Sequence, residues 1–297
     1  MNATTSPTPT EKISVILPAR NESLAIDRTL AVIAQILPSA EIIVVDDGST
    51  DATAEVARQA SAIVVSHPYS KGNGAAIKSG ARAASGDTLV FLDADGQHDP
   101  ADIPRLLARL DQGYDMVVGA RQAGSQASLG RGLANGIYNR LASDMTGHRV
   151  KDLTSGFRAA RAKKFREFLY LLPNGFSYPT TITMAFFRAG HSVVYEPIHA
   201  AQRIGKSHIK LVRDGLRFLL IIFKIGTLYS PLKLFLPFSV LLFLAGTGWY
   251  AHTYIEQSRF TNMSALFYTG SIVVFLMGLI SEQITGLMYK DSSEPRD

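Results

Sequence analysis

The chain has 297 residues, of which 46% are hydrophobic and 19% charged, with a net charge of +5 and no cysteine. The length allows one large domain or a domain with an appendage, and is ample for a full core. Without cysteine there are no disulfides, no thiolate metal sites and no cysteine nucleophile, which fits a reducing compartment.

Residues 1–12 are polar and rich in Thr and Pro with no apolar core. They read as a disordered tail, not as a signal peptide. From Ile13 to about Pro197, short Ile/Val-rich runs alternate with helix-length segments. Strands are expected at Ile13–Leu17, Glu41–Val45, Ala62–Val65, Thr88–Leu92 and Asp115–Val118. Helices are expected between them: one through about Ile36, one from near Asp51, and one each over Ala75–Ala84 and Pro100–Leu110. This alternation indicates a doubly wound α/β domain with a mostly parallel sheet covered on both faces.

The residues at the strand ends carry the chemistry. Pro18-Ala19-Arg20-Asn21-Glu22 follows the first strand. It is not Gly-x-Gly-x-x-Gly, which argues against a dinucleotide fold, and the chain has no Gly-x-x-x-x-Gly-Lys-Ser/Thr loop. Asp46-Asp47-Gly48-Ser49-Thr50-Asp51 follows the second strand. Its last residues are good helix N-caps, while Asp46-Asp47 face the crevice, where an acid can bond a ribose hydroxyl or a base edge. Lys71-Gly72-Asn73-Gly74 opens a helix, where amides and a cation can meet an anion, although Gly-Asn-Gly is also a plain turn. Asp93-Ala94-Asp95-Gly96-Gln97-His98 ends the fourth strand. Two carboxylates there suit Mg²⁺ or Mn²⁺ and hence a diphosphate; taken alone, the motif is equally an acidic turn that caps a helix.

The C-terminal third differs in character. The stretches 234–254 and 261–281 contain no Asp, Glu, Lys or Arg. Each is about 21 residues, which at about 1.5 Å per residue matches a hydrocarbon core of about 30 Å. A two-span membrane hairpin is expected, with Lys233 before it and Lys290 after it. The short connector carries Arg259 offset by Glu256, so the positive-inside rule puts the N-terminal domain and the C-terminus in the cytoplasm. Glu282, at the end of the second span, is read as reaching the interface. Before the hairpin, Lys206, Lys210, Arg213, Arg217 and Lys224 fall on one side of an apolar helix, as expected for a segment lying among lipid headgroups. The expected layout is a tail at 1–12, the α/β domain at 13–207, the interfacial helix at 208–231, two spans at about 234–254 and 261–282 within 232–290, and a tail at 291–297.

Taken in order, the motifs after the first, second and fourth strands resemble the catalytic domain of glycosyltransferase family 2, of the GT-A fold, over roughly 13–210. Four further pieces are similar to the polyprenyl-phosphate (dolichyl-phosphate mannose synthase-like) members of that family. They are Gly119-Ala120-Arg121, Arg131, Asp152-Leu153-Thr154-Ser155-Gly156-Phe157-Arg158, and Arg203-Ile204-Gly205-Lys206-Ser207-His208. The C-terminal hairpin is also found in many of them.

The resemblance implies a metal-dependent, inverting transfer of a hexose from a UDP- or GDP-sugar to undecaprenyl or dolichyl phosphate. It implies that Pro18, Arg20, Glu22, Val45 and Asp47 line the nucleotide pocket, beside the anion-facing Lys71. Asp93 and Ala94 would face the sugar nucleotide, Asp95 and Gln97 would hold Mg²⁺ or Mn²⁺, and His98 would support or cap. Arg203, Lys206 and His208 would close over the donor diphosphate; the mannose synthases carry Lys where His208 stands, so mannose is not implied. Arg121 and Arg131, with Asp152 and Ser155, would form the acceptor-phosphate side, making Asp93, Asp95, Arg121 and Arg131 the catalytic set. A prenyl phosphate is already anionic, so it needs positioning more than deprotonation.

The expected partners are a nucleotide sugar, a polyprenyl phosphate and the membrane, with no nucleic acid; a homo-oligomer is left open. A glycolipid synthase with a neutral lipid alcohol as acceptor is the main alternative, and it would need a general base. A processive polysaccharide synthase would need a Gln-x-x-Arg-Trp segment, whereas the sole tryptophan, Trp249, lies in a span. A non-catalytic membrane scaffold would not need the intact Asp93, Asp95 and Gln97.

Overall fold

β-Branched side chains fit a pleated surface buried on both faces, and the Ile/Val runs accordingly form the central strands. A computed structural model describes residues 11–121, 129–175, 178–199, 220, 223–224, 226–227 and 229–290, with the side chains of 129–135 and 290 excepted. The chain divides into two units, Met1–Asn139 with Val150–Ser207, and Arg140–Arg149 with His208–Asp297.

In the first unit the elements run β1 (Ile13–Ala19), α1 (Ser23–Ile36), β2 (Glu41–Asp46), α2 (Thr53–Gln59), β3 (Ile63–Ser66), α3 (Asn73–Ala83) and β4 (Thr88–Phe91). A short 3₁₀ turn (Pro100–Asp102), α4 (Ile103–Asp111), β5 (Met116–Arg121) and α5 (Leu129–Thr146) follow. Then come β6 (Arg158–Arg161), α6 (Ala162–Glu167), α7 (Tyr178–Arg188) and β7 (Val193–Ile198). The sheet order is β3-β2-β1-β4-β6-β5-β7. Every pairing is parallel except those of β6, which runs antiparallel to both β4 and β5.

The two faces of the sheet are filled separately. Val15 and Leu17 of β1 pack with Ile26, Leu30 and Ile33 of α1 and with Ile103, Leu106 and Leu110 of α4. The intervening Ile16 points the other way, toward Gly80 of α3, where Phe91 also stacks on Phe165 with ring centroids 4.4 Å apart. Truncating one of these fully buried residues to Ala costs about 2–5 kcal/mol.

After β1 the chain steps outward to β2 and β3, then returns through α3 to β4 on the other side of β1. The crevice beyond the C-terminal ends of β1 and β4 is therefore the topological switch point, where open α/β sheets bind their ligands.

The second unit contains α8 (Pro231–Gln257) and α9 (Asn262–Lys290). Both are long and apolar enough to cross a membrane, and little of either is buried. Ser239 and Ser271 bond reciprocally across the pair, each hydroxyl donating to the other's carbonyl at 2.9 Å. Glu282 accepts from Ser230 Oγ at 3.1 Å and from the Leu232 amide at 3.2 Å, satisfying an open amide in the first turn of α8. The end of α5, from Arg140, belongs to this second unit, and there Lys233 Nζ donates to the Met145 carbonyl and Tyr229 to the Thr146 carbonyl. Most of the expected interfacial helix, including Lys206, Lys210, Arg213 and Arg217, lies outside the described residues.

Candidate active site

The first two strand-end motifs are stapled to each other. Parallel pairing puts Ala19 opposite Asp46, so the two following loops start side by side. Asn21, at a φ of 56°, donates its amide to Ser49 Oγ, and its side-chain oxygen accepts from the Thr50 amide. Glu22 donates its amide to Thr53 Oγ1, while Asp51 accepts from the amides of Ser23 and Thr53. The Thr53 hydroxyl, which donates to the Asp51 carboxylate at 2.5 Å, and these amide bonds to it hold the Asp51 carboxyl at about 2, below its ordinary value. Gly48 has a φ of +70°, and a Cβ there would stand 2.7 Å from the Ser70 amide nitrogen, so the β2 loop can meet the 69–72 loop only as glycine.

A cleft of about 380 Å³ opens above this staple, lined by Pro18, Arg20, Glu22 and Asp47 on one side and Asp93, Ala94 and Asp95 on the other. Ser70, Gly72, Asn73 and Ala76 complete it. The volume is in the range of small-ligand sites.

The acids around the cleft are of two kinds. Asp47 is saturated: His67 Nδ1 at 2.7 Å and the Lys71 amide at 2.8 Å reach Oδ1, and Ser70 Oγ and the Gly72 amide, each at 2.8 Å, reach Oδ2. Burial works to raise its pKa, but these bonds outweigh it and hold the carboxyl below its ordinary value. Four donors fill the acceptor capacity of a carboxylate. Asp47 therefore shapes the cleft wall through the 67–72 loop.

Asp93 and Asp95 are open by comparison. Among the described residues no protein donor bonds Asp93, and Asp95 accepts only the Gln97 amide, at 3.1 Å. Burial, reinforced by the charge of Asp95, pushes the Asp93 carboxyl above its ordinary value against the opposing pull of His98. Hard oxygens from Asp95 and from the Gln97 side chain, which bonds nothing among the described residues, fit a divalent cation that completes its shell with diphosphate and water. Among the described residues no cluster of three His, Cys, Asp or Glu forms an all-protein cage.

Beside Asp93, Arg121 at the end of β5 makes a two-pronged pair with Asp152, Nε to Oδ2 at 2.8 Å and Nη2 to Oδ1 at 3.0 Å. Arg121 also donates to Thr154 Oγ1. Burial opposes both charges, yet the pairing lifts the Arg121 pKa and lowers that of Asp152. Ser155 Oγ is buried with no partner among the described residues.

Several expected site residues stand elsewhere. Val45 is fully buried, with its side chain toward Gly80 of α3, so it packs in the core and does not line the cleft. Lys71 lies over the Tyr69 ring at 5.9 Å. At the start of α3 the Asn174 carbonyl accepts the Ala75 amide, while Gly72 and Asn73 line the cleft. His98 caps nothing; Asp99 caps the 3₁₀ turn by accepting from Ala101. His98 is instead buried against Phe157, ring centroids 5.4 Å apart, with Nδ1 unpartnered among the described residues. Arg203, Lys206, His208 and the side chain of Arg131 lie outside the described residues. Arg158, which the sequence places only within the Asp152–Arg158 segment of the acceptor side and not among the individual site residues, is completely buried beside this site.

A nucleotide-sized crevice at the switch point, with ligand-facing acids in place of a glycine-rich phosphate loop, is the arrangement of the GT-A glycosyltransferases. The comparisons agree. The model of glycosyl transferase family 2 matches residues 14–169, and that of the GtrB C-terminal hairpin matches residues 230–287. The undecaprenyl-phosphate 4-deoxy-4-formamido-L-arabinose transferase of Photorhabdus laumondii is 32% identical over 95% of this chain and 90% of its own. The enzyme of that name from Pectobacterium carotovorum is 33% identical with the same coverage. Among solved structures, glucosyl-3-phosphoglycerate synthase from Mycobacterium tuberculosis, in complex with Mn²⁺, UDP-glucose and phosphoglyceric acid, is 25% identical with a TM-score of 0.58. It covers 73% of this chain and 79% of its own. The chain belongs to glycosyl transferase family 2, among its polyprenyl-phosphate glycosyltransferases.

Proposed function

We propose that the enzyme transfers a hexose or related pyranose from a UDP- or GDP-sugar to undecaprenyl or dolichyl phosphate, with inversion at the anomeric carbon. The observation that carries this reading is the contrast between Asp93 and Asp95, open to a ligand, and Asp47, filled by protein donors. Asp95 and Gln97 would hold Mg²⁺ or Mn²⁺ at the donor diphosphate, with Pro18, Arg20 and Glu22 beside the nucleoside and Asp93 toward the sugar. The ion, when bound, offsets the charge that gathers on the departing nucleoside diphosphate.

As the anomeric C–O bond to the diphosphate breaks, a lipid phosphate oxygen forms the new bond from the opposite face. That oxygen is ionised at neutral pH, so no general base is needed. Arg121, set by Asp152, is preorganised to grip the acceptor phosphate, as a guanidinium fork suits. Arg131, at the start of α5, would be the second phosphate ligand, and Arg203, Lys206 and His208 would close over the donor.

The membrane hairpin gives access to the lipid, and undecaprenyl phosphate is the lipid in the names of the relatives above. Lys233 and Lys290 flank the hairpin while Arg259 in the connector is offset by Glu256, which favours a cytoplasmic catalytic domain. The test measures nucleotide release in detergent with Mn²⁺, using UDP- and GDP-sugars, including UDP-4-deoxy-4-formamido-L-arabinose, with and without undecaprenyl phosphate. Release that depends on the lipid phosphate is expected for one sugar nucleotide. Equal release with a neutral prenol overturns the phosphate-acceptor reading.

A further inference from the structure

Arg158 opens β6, opposite Phe91 of β4 and Val118 of β5, and is fully buried. Among the described residues its guanidinium bonds only neutral groups: the Ser155 carbonyl, the Pro179 carbonyl and Thr183 Oγ1, each of these two at 3.2 Å, and Met116 Sδ at 3.9 Å. The Tyr178 ring lies 5.6 Å from its Cζ. Nε has no partner among the described residues. A buried charge without a carboxylate partner is costly, and well-packed apolar side chains commonly replace such groups with no loss of stability. Packing alone therefore does not account for an arginine here.

What it holds is informative. Arg158 pins the Ser155 carbonyl, and Tyr178 donates to the next one, that of Gly156, at 3.2 Å. Both carbonyls are thus fixed from the α7 side. The same turn also meets Asp93: a Cβ at Gly156 would stand 2.8 Å from Asp93 Oδ2 and 3.4 Å from its Cγ. The Asp93 carboxylate, which has no protein donor of its own among the described residues, occupies the space that a side chain at Gly156 would need.

We propose that Arg158 is a positioning residue for Asp93: with Tyr178 it braces the Ser155–Gly156 turn as the wall that sets where the Asp93 carboxylate stands. The role rests on the reading of Asp93 as the acid facing the donor sugar. Arginine is required because its fork reaches the turn and the first turn of α7 at once, which a lysine cannot do. Asp95 and Gln97 lie outside the brace, so the brace governs the sugar side of the site and not the hold on metal and diphosphate.

The experiment uses the full-length protein in detergent and compares Gly156→Ala, Tyr178→Phe and Arg158→Met with wild type. Three quantities are read: kcat at saturating substrates, the Kd of UDP or GDP with Mn²⁺, and the melting temperature. A misplaced reacting group costs about 100-fold, and that loss of kcat is expected for Gly156→Ala, with the nucleotide Kd within about two-fold. Tyr178→Phe, which removes one bond and no charge, should lose about ten-fold in kcat by the same split. Should Arg158→Met not fold, the other two variants decide. A kcat within about two-fold of wild type in Gly156→Ala, or a parallel loss of kcat and nucleotide affinity, overturns the brace. A wild-type protein that turns over no nucleotide sugar with prenyl phosphate removes the reaction itself, and this role with it.

Discussion

Arg121 and Asp152 face each other across the end of β5 as a two-pronged ion pair, and the Arg121 amide donates to the same carboxylate at 3.2 Å. The pair is mostly buried, with side-chain exposures of 25% and 6%. Breaking a buried pair from one side costs about 3–5 kcal/mol because the survivor is left uncompensated. Asp152→Ala should therefore both destabilise the first unit and release Arg121 from its fixed orientation. The expected kinetic result is a rise in KM for lipid phosphate with little change in KM for the nucleotide sugar. Equal changes in both constants would remove Arg121 from the acceptor side.

Asp95→Ala should abolish transfer while the protein stays folded and membrane-bound, because among the described residues Asp95 makes one local bond, to the Gln97 amide. Gln97→Ala should raise the Mn²⁺ concentration needed for half-maximal rate. Titrating Mn²⁺ against initial rate measures both effects. Near-normal turnover in Asp95→Ala would end its metal role.

Asp47 should behave differently from Asp95. Its four protein donors make Asp47→Ala a folding defect, with a lower melting temperature as well as weaker nucleotide binding. Its folded pKa is depressed, so its contribution is present above the unfolded carboxylate value of about 3.8 and is lost as pH falls through the lower folded value. Asp51, held at about 2, acts in the same direction. The melting temperature of the wild type should therefore fall as pH drops below about 4, and Asp47→Ala should blunt that fall. Melting curves from pH 7 down to about 2 check this. An unchanged acid slope in the variant would mean that Asp47 is not linked to folding.

Why were Asp93 and Asp95 legible when the state of Asp47 was not? The first two sit in one short motif whose spacing names its chemistry. The donors to Asp47 lie 20 to 25 residues away and converge only in the fold. Arg121 and Asp152, 31 residues apart, are another such case. The strands show the same limit. β1, β2 and β4 announce themselves through Ile, Val and Leu, but β6 is Arg-Ala-Ala-Arg, without a β-branched residue. It is extended because β4 and β5 both bond to it, which is tertiary context overriding local preference. Arg158 belongs to that strand, so its role could be read only after the strand was seen.

The hairpin separates packing from polar bonding. Ser239 and Ser271 exchange two hydrogen bonds at 2.9 Å, yet such bonds within membranes average only about 0.6 kcal/mol, because the separated helices find other partners. Gly246 and Gly278 matter more by geometry: a Cβ would stand 2.9 Å from Phe267 Cβ and 2.8 Å from Phe235 Cβ, respectively. Ser239→Ala with Ser271→Ala should therefore leave the hairpin within about 1–2 kcal/mol of wild type. Gly278→Leu forces the helices apart and should cost more, since small residues are what allow close approach in lipid. Comparing unfolding free energies in bicelles distinguishes the two. A serine pair that proves costlier than the glycine would mean that hydrogen bonds, and not close packing, hold α8 to α9.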